Sequence, residues 1–258
     1  VLTVLRHLAL DDFGLIFVAM PHPHYPALSR LLPAMASEDT QNKWTGRSGV
    51  ELLRHSTTFM RIFETVYVRH TRHPLHGATM LDFGCGYGRL IRLAYYYGDP
   101  RDIWGVDAWQ KSLDLCRDLP GNFAKSDSAP ESLPVGDVLF DFAYSFSVLT
   151  HLSWETAQKC LSAVRRHMRP GGLFVPTIRP VEMWIMRDAA RKLTDGGDYI
   201  ERHKRTGYAF EPHAQDGDHY GNSSFSMEFF KSLPGWKFLG YEKTLIDVYQ
   251  LPIILRAV

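Results

Sequence analysis

The chain is short of cysteine, of excess charge and of long apolar runs, and each shortage removes a class of protein. Only three of its 258 residues are cysteines, Cys85, Cys116 and Cys160. Their number is odd and no two form a C-x-x-C pair, which argues against a disulfide framework and against a zinc knuckle. Lys plus Arg number 29 and Asp plus Glu 28, so no global field would gather a polyanion and nucleic acid is not an expected partner. The apolar opening, VLTVLRHLALDDFGLIFVAM, is broken by Arg6, His7, Asp11 and Asp12. It offers neither a transmembrane span nor a good signal-peptide core. The expectation is a soluble, cytoplasmic protein with no membrane partner, monomeric or homodimeric. Internal repeats and low-complexity tracts are also absent.

What is present reads as one large globular domain with an N-terminal extension, since 45% of the residues are hydrophobic and 22% charged. Residues 1–43 hold MPHPHYP and Pro33, an irregular stretch with short helical pieces. Ser48 to His70 reads as a helix, because Val50, Leu52, Leu53, Phe59, Met60, Ile62, Phe63, Val66 and Val68 recur at helical spacing. The helical arm is expected to end near residue 77 and to help close a site.

From Ala78 the pattern alternates. A strand runs into Phe83, a helix covers Arg89 to Tyr97, DIWGVD is a strand, Gln110 to Leu119 a helix and NFAKS a strand. FDFAYSFSV is a fourth strand, Trp154 to Met168 a helix closed by RPGG, and LFVPTI a fifth strand. Such alternation calls for right-handed crossovers and a parallel sheet covered on both faces, a doubly wound α/β domain over 78–258. WKFLGYEKT and VYQLPIILRA end the chain as an antiparallel pair at a sheet edge. Between them and the fifth strand lies a long insertion, about residues 180–234, expected to cap the site.

Glycine is spread thinly except in LDFGCGYGRL, where Gly84, Gly86 and Gly88 follow the first strand. A glycine-rich turn at the carboxyl end of a doubly wound sheet lets backbone approach a ligand closely. The dinucleotide fingerprint would be G-x-G-x-x-G, but this chain has G-x-G-x-G and then Arg89. Asp82, two positions ahead of Gly84, would sit badly beside a pyrophosphate and suits a cationic or amino-bearing ligand.

LDFGCGYGR resembles the first motif of the class I S-adenosylmethionine-dependent methyltransferases. WGVDAW supplies the family's acidic residue at the end of the second strand, Asp107. KSDSAPESLP, FDFAYSFSVLTHL and MRPGGLF match its later signals in order. The resemblance covers residues 78 to 180 and, in topology, the final strand pair. It implies a Rossmann-like seven-stranded sheet and S-adenosylmethionine as cofactor. It also implies Asp107 on the ribose hydroxyls, Asp82, Gly84, Gly86 and Gly88 at the methionine end, and Ser126 and Asp127 near the adenine. Ala108, Trp109, Ser145 and Phe146 are further cofactor candidates, and Trp44 and Arg47 of the arm could close over it. FGCGYGR, SFSVLTHL and NKWTGRSG together resemble a bacterial group that often handles small molecules or sugars.

The family's reaction is an in-line displacement at an activated methyl, for which alignment and a dry cavity lower the barrier by about 7–11 kcal/mol. A neutral hydroxyl acceptor also needs a base. His151 follows the fourth strand and titrates near neutrality, so it is the candidate base; the alternative is a histidine that caps or packs under the next helix. Tyr87, His219 and Tyr220 are candidate substrate contacts. Arg89 is read as facing the surface. The expected reaction is methylation of a small polar molecule or sugar on oxygen, with nitrogen or sulfur as the alternative.

No metal is expected. Pro74 prevents His70, His73 and His76 from sharing one helical face. The group His213, Asp216, Asp218, His219 and Tyr220 reads as a hydrogen-bonding lid. Metal-dependent relatives would carry a carboxylate where Ser145 and Phe146 stand. A nucleic-acid methyltransferase would show a D/N-P-P-Y stretch and a basic face. A catalytically silent subunit is opposed by a cap rich in polar aromatics, and a nicotinamide dehydrogenase by Arg89 in place of the last glycine.

Overall fold

A computed structural model describes residues 1–190, 198–213 and 219–258. The chain divides into two compact units, Val1–Ser126 and Asp127–Val258.

The first unit begins with four short helices, α1 (Leu2–Leu5), α2 (Leu10–Val18), α3 (Pro26–Leu31) and α4 (Glu38–Thr45), followed by the long α5 (Gly49–Thr71). Helix α5 buries Leu52, Leu53, Phe59, Met60, Phe63, Val66 and Tyr67 and leaves Val50 and Val68 exposed. Its apolar residues thus include an outer pair that packs on nothing within the unit's core. Strands β1 (Met80–Phe83), β2 (Ile103–Asp107) and β3 (Asn122–Lys125) pair in parallel, Met80 opposite Ile103 and Trp104 opposite Asn122. Helices α6 (Arg89–Ala94) and α7 (Gln110–Asp114) follow β1 and β2. Both are shorter than the sequence pattern suggests. Beyond Ala94 and Asp114 the main chain turns through bonds that span three residues, such as Tyr97 to Ala94 and Cys116 to Leu113, and the α-helix ends there.

The arm belongs to this unit rather than standing apart from it. Arg6 donates to the carbonyls of Tyr95 and Gly98, and Phe13 meets Tyr96 edge-on at 5.4 Å. Arg92 of α6 is buried and donates to three carbonyls: Tyr87 at 2.8 Å, Gly88 at 3.1 Å and Ala34 of the arm at 2.8 Å.

The second unit holds β4 (Phe140–Ser145), α8 (Trp154–Arg166), β5 (Met168–Ile178), α9 (Glu182–Ala189), α10 (Tyr199–Thr206), β6 (Tyr208–Pro212), β7 (Gly221–Phe225), α11 (Glu228–Lys231), β8 (Trp236–Tyr241) and β9 (Leu251–Ala257). Ser153 caps α8 by accepting from the Thr156 amide. Strand β5 begins at Met168, so Arg169–Gly172 lie inside it rather than forming a helix end. The register slips there: Met168 faces Phe140 while Leu173 faces Phe142, and the extra residues bulge out of the ladder. Strand β9 runs antiparallel to both β5 and β8. The order across the seven-stranded mixed sheet is β3-β2-β1-β4-β5-β9-β8, the Rossmann-like arrangement with an antiparallel final pair.

The insertion between β5 and β8 contains a second sheet, the β6–β7 hairpin, which the sequence pattern did not suggest. Ser223 and Ser224 are buried in it because each hydroxyl has partners: Ser223 donates to the Leu149 carbonyl at 2.7 Å, and Ser224 meets Trp184 Nε1 at 2.6 Å and His203 Nδ1 at 2.7 Å. Trp184 also stacks on Tyr199 at 4.5 Å. Among the described residues no helix is long and apolar enough to cross a membrane.

Candidate functional site

In Val1–Ser126 the glycine turn leaves the carboxyl end of β1. Gly84, Gly86 and Gly88 all have positive φ, at 79°, 56° and 73°, a conformation that β-carbons disfavour. Gly88 has the stronger reason to lack a side chain, because a Cβ would lie 2.4 Å from Leu119 Cδ1 and 3.1 Å from Cys116 Sγ. The amides of Gly84 and Cys85 donate to the Val106 carbonyl at 2.7 and 3.1 Å, which fixes the turn to β2. Asp107, the last residue of β2, accepts from the Gly86 amide at 2.9 Å and the Trp109 amide at 2.8 Å. Burial raises its carboxyl above the usual range, and those amides work in the opposite direction. Ser126 is buried, and its amide donates to the Asp107 carbonyl at 3.0 Å.

Asp82 is buried in β1, and its Oδ2 has no hydrogen-bond partner. Burial pushes its carboxyl well above the usual range; the charge of Arg89 opposes this and that of Asp107 adds to it. Arg89 itself corrects an expectation. It is buried rather than surface-facing, donating to Ser56 Oγ at 3.0 Å with His55 Nδ1 at 3.4 Å, both on α5.

Three aromatics gather at this turn. Trp44 of α4 lies 5.7 Å from Tyr87 and 6.3 Å, edge-on, from Trp109. A Cβ on Gly86 would touch the Trp44 ring at 3.9 Å. Trp109 is half exposed and Tyr87 buried; Ala108 and Arg47 are half-buried.

In Asp127–Val258 the candidates fall into two sets. Asp127 is exposed, Ser145 is buried with an Oγ that has no partner, and Phe146 is half-buried after β4. Beyond them Ser147 has a φ of 59°, held by bonds from its amide to Thr177 Oγ1 at 2.8 Å and from Gln250 Nε2 to its Oγ at 2.9 Å. His151 lies further along, on the single turn Leu149–His151.

His151 is the centre of a polar cluster. Its Nδ1 stands 2.7 Å from the Gly221 carbonyl, so this nitrogen carries the hydrogen and donates. Its Nε2 then accepts from Arg179 Nη2 at 3.2 Å. Arg179 also donates through Nη1 to the Thr150 carbonyl at 3.0 Å and to Asn222 Oδ1 at 2.9 Å. Asn222 Nδ2 reaches Glu211 Oε2 at 3.1 Å and His213 Nε2 at 3.1 Å, and Arg187 donates to the same Glu211 oxygen at 2.5 Å. Tyr220 stacks on His151 at 5.2 Å with planes 11° apart. His219 is exposed, and its carbonyl accepts from the Ser153 amide at 3.1 Å. Asp216 and Asp218 lie outside the described residues.

This arrangement works against His151 as a base. Burial first, then the charge of Arg179, lowers its pKa to about 3, and the one lone pair that could take a proton already accepts from a guanidinium. Arg179 was not a candidate from the sequence. The signal was available: an arginine directly follows the apolar run LFVPTI, at the end of a strand where doubly wound sheets bind ligands. Among the described residues no group of three or more His, Cys, Asp or Glu is arranged to hold a metal ion.

Residues 81–175 match the family described as "Methyltransferase domain". The match spans the glycine turn, Asp107 and β4 through most of β5, in the strand order described above. Within those residues the chain carries a methyltransferase domain of the class I, S-adenosylmethionine-dependent type. A ubiquinone biosynthesis O-methyltransferase of Sinorhizobium medicae is 30% identical to this chain over 113 residues. That alignment covers 42% of this chain and 44% of the relative, so the chain spans less than half the length of the curated relative it matches. Among solved structures, a SAM-dependent methyltransferase of Methanosarcina mazei superposes with a TM-score of 0.53 at 17% identity, over 74% of this chain and 97% of that one. The magnesium protoporphyrin IX methyltransferase of Synechocystis, solved with bound SAM, superposes with a TM-score of 0.50 at 15% identity, over 97% and 99% of the two chains. At such identities these structures bear on the fold alone.

The residues of the methyltransferase's first unit suit its cofactor, S-adenosylmethionine. The orphaned Asp82 oxygen matches a group with N–H donors or positive charge, and the positive-φ glycines keep the turn beside Asp107 clear of side chains.

Proposed function

We propose that this methyltransferase transfers a methyl group from S-adenosylmethionine to a small polar molecule, on oxygen. The observation that carries the cofactor half is the buried, unpartnered Asp82 beside the Gly84–Gly88 turn and Asp107. In this reading Asp107 takes the ribose hydroxyls, Asp82, Gly84, Gly86 and Gly88 hold the methionine end, and Ser126 and Asp127 lie by the adenine. Ala108, Trp109, Ser145 and Phe146 line the cofactor, Trp44 and Arg47 cover it, and Tyr87, His219 and Tyr220 serve the acceptor. When bound, S-adenosylmethionine supplies an activated methyl that needs only an aligned nucleophile. The chain's part is to bind, orient and exclude water. Oxygen is supported by the O-methyltransferase relative, and a small acceptor by the near-zero net charge and the half-buried polar cluster around His151.

A second reading has its own observation. With Nε2 of His151 engaged by Arg179 and its pKa near 3, an acceptor nitrogen or sulfur that needs no deprotonation fits the cluster better than a neutral hydroxyl.

The test of the cofactor assignment is titration calorimetry with S-adenosylhomocysteine. Asp107→Ala should weaken binding by about 30-fold or more, the loss of a charge-assisted pair of hydrogen bonds. Unchanged affinity would misplace the site.

A further inference from the structure

Arg179 follows the last residue of β5, at the sheet end where doubly wound folds take their ligands. A guanidinium has five N–H donors. Two on Nη1 go to Thr150 and Asn222, and one on Nη2 goes to His151. All three acceptors are neutral, and among the described residues no carboxylate pairs with Arg179. The nearby cation Arg187 is balanced, because Glu211 accepts from it at 2.5 Å. Among the described residues Asp247 acts on Arg179 through its charge, but no carboxylate is hydrogen-bonded to the guanidinium in this half-buried cluster. A charge removed from water in this way is costly unless a partner of opposite sign arrives. Burial first and then the charge of Arg187 lower the Arg179 pKa to about 10, with Tyr220 and Asp247 working in the opposite direction.

The neighbours hold the guanidinium in a fixed orientation. His151 is locked in one tautomer by the Gly221 carbonyl and stacked on Tyr220, so its Nε2 can only accept. The donors left over are the Nε hydrogen and the second Nη2 hydrogen. Nε and Nη2 are the two nitrogens through which a guanidinium takes both oxygens of a carboxylate.

We propose that Arg179 recognises a carboxylate on the methyl acceptor, through the two donors it does not spend on Thr150, Asn222 and His151. The proposal rests on the methyl-transfer reading above. His151 is then a positioning residue, aligning Arg179 rather than removing a proton.

The test uses the full chain and S-adenosylmethionine carrying a tritiated methyl. A small-molecule cell extract is separated by anion exchange into acidic and non-acidic fractions, and each is offered as acceptor, the acidic one before and after amidation of its carboxyl groups. Label should enter the acidic fraction only, amidation should abolish it, and the product should still bind the exchanger. Arg179→Gln should lower kcat/KM on the active fraction about 30-fold or more and Arg179→Lys less, both with unchanged affinity for S-adenosylhomocysteine. If Arg179→Gln does not fold, amidation with the unaltered chain decides alone. Label entering the non-acidic fraction, persisting after amidation, or leaving an uncharged ester overturns the carboxylate assignment while sparing methyl transfer. No label from any fraction, in a chain that binds S-adenosylhomocysteine, overturns the methyl-transfer reading itself.

Discussion

In Val1–Ser126 the groups gathered at the end of β1 are largely main chain: the amides of Gly86 and Trp109, set beside three positive-φ glycines and answered by one carboxylate, Asp107. In Asp127–Val258 the corresponding groups are side chains from five separate segments, carrying His151, Arg179, Arg187, Glu211 and Asn222. A backbone cradle depends on local conformation, which few residue types can adopt. A side-chain network depends on mutual pairing, so that removing one member strands another. The first should fail through strain and lost ligand affinity, the second through stability.

The largest effect should come from Glu211, which is about 1% exposed and pairs with Arg187 and Asn222. Glu211→Ala takes the buried carboxylate away from both Arg187 and Asn222 and should cost about 3–5 kcal/mol, read from the denaturant midpoint in chemical unfolding. A loss under about 1 kcal/mol would show that the second unit is not held by its network. Gly88→Ala should come next, at about 1–3 kcal/mol, from a β-carbon at positive φ that must also displace Leu119. It should weaken S-adenosylhomocysteine binding as well, whereas Glu211→Ala should leave that binding nearly unchanged; equal effects on both would erase the contrast.

The smallest effect is in pH dependence. The folded pKa of His151, about 3, lies below the usual value of about 6.5, so the unfolded chain binds the proton first as pH falls. The contribution of the neutral ring is therefore complete above about pH 6.5 and declines toward pH 3, by no more than about 1.4 kcal/mol per pH unit. Unfolding free energies at pH 7, 6 and 5 should fall more steeply for the unaltered chain than for His151→Gln. Parallel curves would place the ring in a solvated, freely titrating setting.

The same contrast explains what could be read from the sequence. The cradle was legible because its residues are contiguous and chemically constrained: LDFGCGYGR and WGVDAW carry their geometry in their spelling. The parallel pairing of the early strands followed from alternating periods. The polar cluster was legible only in part. His151 stood out as a histidine after a strand, but its burial and the guanidinium at its Nε2, Arg179, 28 residues away, are not visible beside it. The β6–β7 hairpin was hidden because GNSSF reads as a loop; only with Leu149, Trp184 and His203 in place do its serines become buriable. Arg89 was misread for a related reason, since nothing in YGRL shows that Ser56 and His55 of α5 wait beside it.

Arg92 gives the first unit a property that neither the arm nor the glycine turn would have alone. One guanidinium holds the carbonyls of Ala34, Tyr87 and Gly88 together, so order in the arm and shape in the turn are two readings of a single equilibrium. By reciprocity, whatever fixes the turn must also quiet the arm to the same free-energy extent. Ala34, far along the chain from the glycines, is thereby the point of the arm at which occupancy of the turn would first be felt.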